Sequence, residues 1–399
     1  MRMKKTAAII LAAGYSSRMG SQKALLPLGE GLVIDMIIAS LKQAGCTPIL
    51  IVTGHRGEEL AAHVAGQEVS IQYNPDYAAG MFSSVLAGVK AIVPYRPADF
   101  FMIPVDHPMV GPDILQKMMS AHKMLKPAVT YPVYGGSKGH PPLISHECIP
   151  TILIHDGTQG LKGALQVFDK ESAYLECEEP GVLADMDTPT DYERNMKVLH
   201  GDYEVKQLFL QGDIRVGKSY LLKQALRPHR GNAGGFYVEK KTEEGQCVSY
   251  ILRSVRKDRL RQRSAFPPEQ VFLSREDGGW KFHPEVFDGW AADLLEQEMA
   301  DPPAVILLDE IGGMELACRR FTEVLYRLFD SGVPCVGVYK QQKNAMAQSS
   351  SMNTGTGYEQ NRRRLVKRLV EGNGRILTLN HQNAESVREQ VESFVAQFM

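Results

Sequence analysis

This chain lacks three features, and each absence excludes a class of protein. Its six cysteines include no C-x-x-C pair, which argues against a zinc site and against a dense disulfide framework. Its net charge is only −1, so the protein as a whole has no charge-driven attraction to nucleic acid. No apolar run reaches the length of a membrane-spanning helix. We therefore expect no nucleic-acid partner, no membrane contact, and thiols that are buried or incidental.

The amino terminus, MRMKKTAAIILAAG, has the basic, apolar and small residues of a signal peptide. However, its apolar run is short and continues directly into a glycine loop. A strand of a nucleotide-binding fold explains this pattern better. We expect a cytoplasmic protein that acts on small molecules.

The first half of the chain alternates strand-length apolar runs with amphipathic stretches. This alternation predicts an α/β domain with a mostly parallel, Rossmann-like sheet that is covered by helices on both faces. Ligands of such sheets bind at the carboxyl ends of the strands. The expected strands are Thr6–Ala13, Pro48–Gly54, Asp99–Asp106 and Pro127–Val133.

The pattern restarts near Val205, where the strand VKQLFLQG is followed by the loop GDIRVGKS and by a helix. We expect two domains, a nucleotidyltransferase-like domain over residues 1–200 and a P-loop NTPase-type α/β domain over residues 205–399. The polar stretch MKVLHGDYEVK is the expected linker. Polar residues 340–364 predict a loop, and NRRRLVKRL within and beyond them predicts a solvated basic helix face. The two tryptophans, Trp280 and Trp290, are expected to be core or edge packing residues, with base-stacking platforms as the alternative.

The loop LAAGYSSRMGSQK follows the first predicted strand. Gly14 and Gly20 allow the backbone amides to approach phosphate oxygens closely, and Arg18 and Lys23 add positive charge. These residues suit a triphosphate. A surface turn with incidental basic residues is the alternative, because short glycine motifs are weak signals.

Two carboxylates are candidates for a metal site. Asp106 ends the hydrophobic strand of IPVDHP and is expected at the same sheet edge as the glycine loop. Asp187 lies in DMDTPTDY just before a helix, so the alternative for this segment is helix capping by Asp187 or Thr188. Mg²⁺ prefers oxygen ligands such as one or two carboxylates together with phosphates and water.

The first two hundred residues resemble the molybdenum-cofactor nucleotidyltransferases. The resemblance rests on an ordered set of segments: LAAGYSSRMGSQKALLPLG, TGH, NPDYAAGMFSSV, PVDHP, GHPPLI and DMDTPTDYE. Within that superfamily the chain resembles the cytidylyltransferase branch, because the guanylyl-transferring members usually carry Gly-Gly followed by Ser-Arg-Arg. Guanylyl transfer and another phosphorylated acceptor are the alternatives.

The resemblance implies that a phosphate of molybdopterin attacks the α-phosphate of CTP, or of GTP in the alternative, and that pyrophosphate leaves. Arg18 and Lys23 would hold the triphosphate, while Asp106 and Asp187 would bind Mg²⁺. The residues implied at the base are Leu11, Ala12, Ala13, Gly14 and Gly54. The residues implied on the acceptor side are Asn74, Gly80, Ser83, Ser84 and His140.

The loop GDIRVGKS fits the G-x-x-x-x-G-K-[ST] pattern between a strand and a helix, which predicts a second nucleotide site. Its phosphate-binding residues would be Gly212, Gly217, Lys218 and Ser219, with the Ser219 hydroxyl on Mg²⁺. The strand PPAVILLDE adds Asp309 as a second magnesium position and Glu310 as the residue that orients or deprotonates water.

The segments LDEIGGMEL and GGFYVEK resemble a small nucleoside-triphosphatase family first described in thermophilic bacteria. This chain differs from that family by Asp213 and Arg215 within the loop and by Ser219 at its end. The resemblance implies NTP hydrolysis. The alternative is a regulatory module, or one that delivers the cofactor to an apo molybdenum enzyme.

Overall fold

The computed structural model describes residues 5–16, 19–202, 204–229, 231–256, 270–276, 279–341 and 357–399. The chain forms two compact units, Met1–Tyr203 and Glu204–Met399, which we call the first and the second domain. Each domain contains a mostly parallel sheet with helices, so the predicted α/β class is confirmed. Within the described ranges, no helix is long and apolar enough to cross a bilayer.

The sheet of the first domain has the order β5-β4-β1-β6-β9-β7-β10, with β8 paired to β7. Strands β5, β4, β1 and β6 run parallel, and β9 is antiparallel to both β6 and β7. The strands are β1 (Ala7–Ala12), β2 (Pro27–Leu28), β3 (Gly31–Leu32), β4 (Ile49–Thr53), β5 (Ser70–Tyr73), β6 (Asp99–Pro104), β7 (Val129–Tyr134), β8 (Ser137–Lys138), β9 (Leu143–Ser145) and β10 (Ser172–Glu176).

The helices of the first domain cover this sheet through apolar faces. They are α1 (Val33–Ala44), α2 (Gly57–His63), α3 (Met81–Ile92), α4 (Pro112–Leu125), α5 (Ile149–Ile154), α6 (Gly160–Leu165) and α7 (Pro189–His200). Helix α3 packs closely on β1, because a Cβ at Gly88 would lie only 2.6 Å from Cγ2 of Ile9. This packing brings the amino terminus of α3 to the loop that follows β1.

The sheet of the second domain has the order β15-β14-β13-β12-β16-β17-β11-β18. Its strands are β11 (Gln207–Gln211), β12 (Ala233–Glu243), β13 (Gln246–Ser254), β14 (Gln270–Glu276), β15 (Gly279–Phe282), β16 (Val305–Ile311), β17 (Cys335–Tyr339) and β18 (Arg375–Thr378). Strands β12, β16, β17, β11 and β18 are parallel. Strands β13, β14 and β15 extend the sheet in antiparallel order.

The antiparallel extension begins at a tight hairpin. Glu244 and Gly245 connect β12 to β13 with φ values of 51° and 79°, and Glu243 pairs with Gln246 across the turn. A two-residue turn with both φ values positive matches the right-handed twist of the flanking strands. This antiparallel extension was not predicted from the sequence.

The helices of the second domain are α8 (Lys218–Leu226), α9 (Ala292–Ala300), α10 (Arg319–Asp330), α11 (Gly357–Glu371) and α12 (Ala384–Phe398). The core includes Leu210 on β11, Leu307 on β16 and Val391 on α12. The predicted loop over residues 340–364 is partly wrong, because α11 starts at Gly357; residues 342–356 of that segment lie outside the described residues.

The predicted solvated face of α11 is also wrong in one place. Arg363 and Arg364 are exposed, but Arg362 is only 3% exposed. Its guanidinium donates hydrogen bonds to the carbonyls of Gly312 and Lys340 and lies 4.4 Å from the ring centroid of Tyr339. The free-energy cost of burying this cation is compensated because backbone carbonyls accept hydrogen bonds from it.

Candidate functional site

A cavity of about 490 Å³ lies at the carboxyl edge of the first sheet, where β1 and β6 end side by side. Parallel strands of an open sheet place their ligand sites at this edge. The predicted site residues that line the cavity are Leu11, Ala12, Ala13, Gly14, Lys23, Gly80, Ser84, Asp106 and Asp187. Arg18 lies outside the described residues.

Lys23 is the charged centre of this cavity. Its Nζ lies 2.7 Å from Oδ1 of Asp187 and 3.9 Å from Oδ2 of Asp106. Its backbone N–H donates to Oγ of Ser16 at 3.1 Å, so the loop after β1 positions the lysine. Two carboxylates from distant parts of the chain therefore face a single ammonium group.

Asp106 is held from its other side by a histidine. Nδ1 of His107 lies 2.8 Å from Oδ1 of Asp106. Burial opposes ionisation of Asp106, but the hydrogen bond from His107 and the charges of His107 and Lys23 outweigh it and lower the pKa of this carboxyl below its usual value. Asp106 is therefore a carboxylate at neutral pH, as a metal ligand must be.

The ring of His140 packs against that of His107 at an interplanar angle of 52°, with ring centroids 4.3 Å apart. Burial, reinforced by the neighbouring His107, lowers the pKa of His140 to about 4. Its Nδ1 is buried and has no hydrogen-bond partner among the described residues. His140 is therefore neutral at physiological pH and supports the His107 ring from behind.

Several predicted residues do not belong to the part of the cavity wall that the structure describes. They are Gly20, Gly54, Asn74, Ser83 and His140. Asn74 is 2% exposed, and its amide nitrogen donates to the hydroxyls of Ser83 and Ser84 at 2.9 and 3.0 Å. These bonds fix the start of α3 beside the cavity, so the geometry gives Asn74 a positioning role.

Gly54 acts through close packing. A Cβ at this position would lie 2.7 Å from Cβ of Tyr77 and 2.8 Å from the carbonyl oxygen of Ala13. Both distances are shorter than real Cβ contacts, so only glycine lets the loop after β1 and the Tyr77 segment meet here. Gly54 thereby shapes the cavity without lining it.

The aromatic side of the cavity was not predicted from the sequence. Tyr15 and Tyr77 both line it, and their ring centroids lie 5.4 Å apart. His55 completes the cluster at 4.9 Å from Tyr15 and 6.1 Å from Tyr77. Gln22 also lines the cavity, and within the part of the chain that the structure describes neither its Oε1 nor its Nε2 has a hydrogen-bond partner. An aromatic residue directly after Gly14 is the one signal in the sequence that points to this cluster.

The second candidate site is the loop between β11 and α8. Nζ of Lys218 donates to the carbonyls of Gly212 and Asp213, both at 2.8 Å, so the lysine lies across the loop. Gly212 has φ +145° and Gly217 φ +101°, which L side chains rarely adopt. The loop therefore requires glycine at these two positions, because its backbone there has a conformation that other residues rarely adopt.

Ser219 and Asp309 meet at the start of α8. Oγ of Ser219 donates to Oδ1 of Asp309 at 2.8 Å, and the Val238 N–H donates to Oδ2 at 3.2 Å. Asp309 is only 2% exposed, and burial raises the pKa of its carboxyl despite these bonds. The hydroxyl and the carboxylate lie where a P-loop site places its metal ligands.

Glu310 follows with φ +74°, an uncommon conformation for a residue with a side chain. Strand pairing shifts register between Leu308 and Ile311, so Glu310 sits in a bulge of β16. Its Oε2 lies 3.4 Å from Nζ of Lys340 at the end of β17. The bulge therefore aims the carboxylate into the cavity of this site, which measures about 610 Å³.

Both sites suit Mg²⁺ through their oxygen donors. In the described part of the chain, no cluster of three or more His, Cys, Asp or Glu residues is arranged to hold a metal alone. Asp106 and Asp187 already face one cation, the Lys23 ammonium, and Ser219 with Asp309 forms a hydroxyl–carboxylate pair. The other ligands would come from phosphates and water, as is usual for Mg²⁺.

The fold and the two loops define a nucleotidyltransferase-type domain followed by a P-loop NTPase-type domain. The family model of the MobA-like NTP transferase domain matches residues 8–173, and that of a family described as NTPase matches residues 207–391. The chain belongs to the MobA-like NTP transferase family through its first domain, and its second domain matches the NTPase family model. The two predicted resemblances are thereby confirmed.

Each domain is similar to proteins whose activity is named. The first domain is 36% identical to the molybdenum cofactor cytidylyltransferase of Escherichia coli (strain K12), over 46% of this chain and 92% of that protein. The second is 28% identical to the nucleoside-triphosphatase THEP1 of Thermotoga sp. (strain RQ2), over 35% of this chain and 76% of that protein. A solved nucleotidyl transferase from Methanothermobacter thermautotroptrophicus is 21% identical, with a TM-score of 0.43, over 50% of this chain and 99% of that one.

Proposed function

We propose that the first domain transfers CMP from CTP to the phosphate of molybdenum-bearing molybdopterin and releases pyrophosphate. The observation that carries this proposal is the placement of Lys23 between Asp106 and Asp187 at the mouth of the β1 loop. The 36% identity to a molybdenum cofactor cytidylyltransferase supports the choice of CTP and of the acceptor.

In this reaction an oxygen of the acceptor phosphate forms a bond to the α-phosphorus of CTP, and the bond to the β-phosphate oxygen breaks. Pyrophosphate leaves with the electron pair of that bond. Lys23 binds the triphosphate and balances the charge that grows on the leaving group. The backbone from Leu11 to Gly14 lines the nucleotide, and Tyr15 with Tyr77 provides an aromatic face beside it.

Mg²⁺ bound by Asp106 and Asp187 would polarise the phosphate oxygens and hold them in line for the displacement. His107 orients Asp106, and the neutral His140 packs behind His107. Lys23 must exchange part of its contact with the two carboxylates for phosphate oxygens when the nucleotide arrives. The protein thus contributes positioning and charge, which is most of what such a transfer requires.

For the second domain we propose Mg²⁺-dependent hydrolysis of a nucleoside triphosphate. Lys218 would release the loop carbonyls and bind the β- and γ-phosphates, while Ser219 and Asp309 would hold the metal. Glu310 would orient a water and accept its proton as the water oxygen bonds to the γ-phosphorus. The bond between that phosphorus and the β-phosphate oxygen breaks, and NDP and phosphate leave.

We place both reactions in the cytoplasm. All six cysteines, each within the described ranges, are free thiols, and five of them are buried. Burial raises the pKa of Cys46, Cys148 and Cys177 to about 12, so these thiols stay protonated and unreactive. Unpaired cysteines are typical of a reducing compartment.

The test measures pyrophosphate release for the first domain and phosphate release for the second, in the full chain with Mg²⁺. CTP, GTP, ATP and UTP are each supplied with and without molybdenum-bearing molybdopterin. The variants are Asp106→Ala and Lys218→Ala, and the exposed Lys42 on α1 provides the control Lys42→Ala. We expect the parent protein to release pyrophosphate from CTP only when the pterin is present. The Asp106→Ala variant should lose this activity, whereas Lys218→Ala and the Lys42→Ala control should keep it.

Other outcomes would change the proposal. A preference for GTP would assign guanylyl transfer, and release that ignores the pterin would contradict the acceptor. Phosphate release that Lys218→Ala does not reduce would contradict hydrolysis at the P-loop. In that case nucleotide binding without turnover would favour a regulatory module, or one that delivers the cofactor to an apo molybdenum enzyme.

A further inference from the structure

The cavity at the P-loop extends well beyond the residues that would bind a triphosphate. Its far wall is built by the antiparallel extension: Lys240 on β12, Tyr250 on β13, Leu273 on β14 and Trp280 on β15. The ring centroids of Tyr250 and Trp280 lie 5.5 Å apart, and Nζ of Lys240 lies 5.6 Å from that of Tyr250. We call Lys240, Tyr250 and Trp280 the aromatic wall.

The order of the sheet places the aromatic wall on one side of the triphosphate. The P-loop follows β11, and Asp309 with Glu310 lies on β16, two strands away across β17. The hydrogen-bonded Ser219–Asp309 pair would hold the metal ion that accompanies the β- and γ-phosphates in a P-loop site. Strands β12 to β15 follow on the far side of β16, so the wall lies beyond the γ-phosphate. With the metal held by that pair, the nucleoside half of the same molecule would extend in the opposite direction.

The aromatic wall lies close enough to Glu310 and Lys340 for their charges to act on the Tyr250 hydroxyl. Burial raises the pKa of the Tyr250 hydroxyl to about 12, helped by Cys247 and by the negative charge of Glu310, while Lys340 acts against them. Lys340 itself lies 3.4 Å from Glu310 and lines the same cavity. The aromatic wall, Glu310 and Lys340 therefore line one continuous cavity.

A water molecule, the second reactant of simple hydrolysis, needs neither flat rings nor extra cations. Tyrosine and tryptophan faces recognise flat heterocycles by stacking. Lysine ammonium groups at the rim, here Lys240 and Lys340, recognise phosphate. Both features together fit a compound that carries a flat ring system and a phosphate.

We propose that the aromatic wall binds a second ligand next to the nucleoside triphosphate of the P-loop, and that this ligand is a small phosphorylated heteroaromatic compound. A nucleoside monophosphate and a pterin phosphate share this chemistry. The proposal goes beyond NTP hydrolysis, because it gives the second domain a ligand that hydrolysis does not require. It does not depend on the acceptor of the first domain.

The two tryptophans make the test specific for this domain. Both lie in the second domain, and Trp290 is 5% exposed in the core, so a ligand at the wall changes the emission of Trp280. The full chain is saturated with ADP and Mg²⁺ and then titrated in separate arms with CMP, GMP and molybdopterin. We expect saturable quenching in at least one arm, and the tightest arm identifies the source of the ligand.

Matched variants separate binding from misfolding. Tyr250→Leu removes the stacking face and keeps the reporter, and we expect the apparent Kd to rise about tenfold, since one stacked base is worth roughly 1–3 kcal/mol. Tyr250→Phe keeps the face and should bind as the parent does. Lys240→Ala should weaken binding, whereas Lys241→Ala, the next residue on β12 and absent from the cavity wall, should not. Lys42→Ala, at the exposed lysine of α1 in the first domain, should leave the titration unchanged.

Three results would overturn the proposal. The first is an absence of quenching in every arm while ADP still binds. The second is a probe that competes with ADP, because one molecule would then occupy the whole cavity. The third is quenching by ADP alone that Lys218→Ala abolishes and no probe increases, because the wall would then hold the base of the P-loop nucleotide.

Discussion

The ammonium of Lys23 lies 2.7 Å from the carboxylate of Asp187, although 164 residues separate them in the chain. The same ammonium lies 3.9 Å from Asp106. One residue of the β1 loop thereby joins the end of β6 to the segment before α7. The arrangement keeps two carboxylates close together at low cost, because the lysine offsets their mutual repulsion. A metal ion and a triphosphate can then share the space that the lysine organises.

Lys23→Met should lower kcat/KM for pyrophosphate release about 100-fold or more, because a charge aimed at the leaving group is worth about 3–4 kcal/mol in such sites. Steady-state release of pyrophosphate from CTP measures the effect. Lys42→Met, which changes an exposed lysine of α1, is the control and should match the parent. A Lys23→Met enzyme within threefold of the parent would refute a role for this ammonium in catalysis.

Gly54→Ala should destabilise the first domain by roughly 1–3 kcal/mol, since its new Cβ would overlap Tyr77 and the Ala13 carbonyl. Gly14→Ala has open space around its Cβ and should leave the unfolding temperature close to that of the parent. Scanning calorimetry of the full chain measures both, because the first domain contains no tryptophan. Equal stability of the two variants would show that the close approach at Gly54 is not needed.

The first domain should lose stability as the pH falls below 6.5. His140 has a pKa of about 4 when folded and near 6.5 when unfolded, so between these values the unfolded chain binds a proton that the folded chain does not. The free energy of unfolding then falls with falling pH, by about 2 kcal/mol between pH 7.5 and 5.0 for this one group. Calorimetry of the parent and of His140→Phe at both pH values tests this. A variant that keeps the full pH dependence would assign it to other groups.

Ser219→Ala should reduce phosphate release about 100-fold and leave pyrophosphate release by the first domain unchanged. The serine hydroxyl lies 2.8 Å from Asp309 and is one of the two expected metal ligands. Ser219→Thr keeps a hydroxyl and should retain activity. The two products are measured in parallel across a Mg²⁺ titration. If Ser219→Ala and Ser219→Thr hydrolyse NTP equally well, the hydroxyl does not serve the metal.

Local motifs were the easiest part to predict. The P-loop is a continuous stretch in which glycines, a lysine and a serine act through neighbouring backbone, so its spacing alone indicates a phosphate site. The alternation of strands and helices likewise predicted two α/β domains, and the structure confirms that class. The roles of the individual site residues remain predictions that the experiments above address.

The surroundings of each loop were harder to predict. Asn74 reads as a substrate residue from its motif, yet its amide is used to hold Ser83 and Ser84. Tyr250 and Trp280 of the aromatic wall come from β13 and β15, strands that no sequence motif predicted. They reach the cavity of the P-loop through the strand order of the sheet, which no local pattern reveals. Side-chain direction and strand order decide such neighbours.

The sequence by itself determined that this protein has two α/β domains, each with a phosphate-type loop after its first strand, and it carried the family resemblance of both. These features are local, because they follow from the period of apolar residues and from glycine spacing within short segments. Only the tertiary structure decided that Lys23 meets Asp106 and Asp187, that His107 backs onto His140, and that Trp280 faces the P-loop. Such contacts depend on the order and twist of strands that are far apart in the chain, which local patterns do not encode.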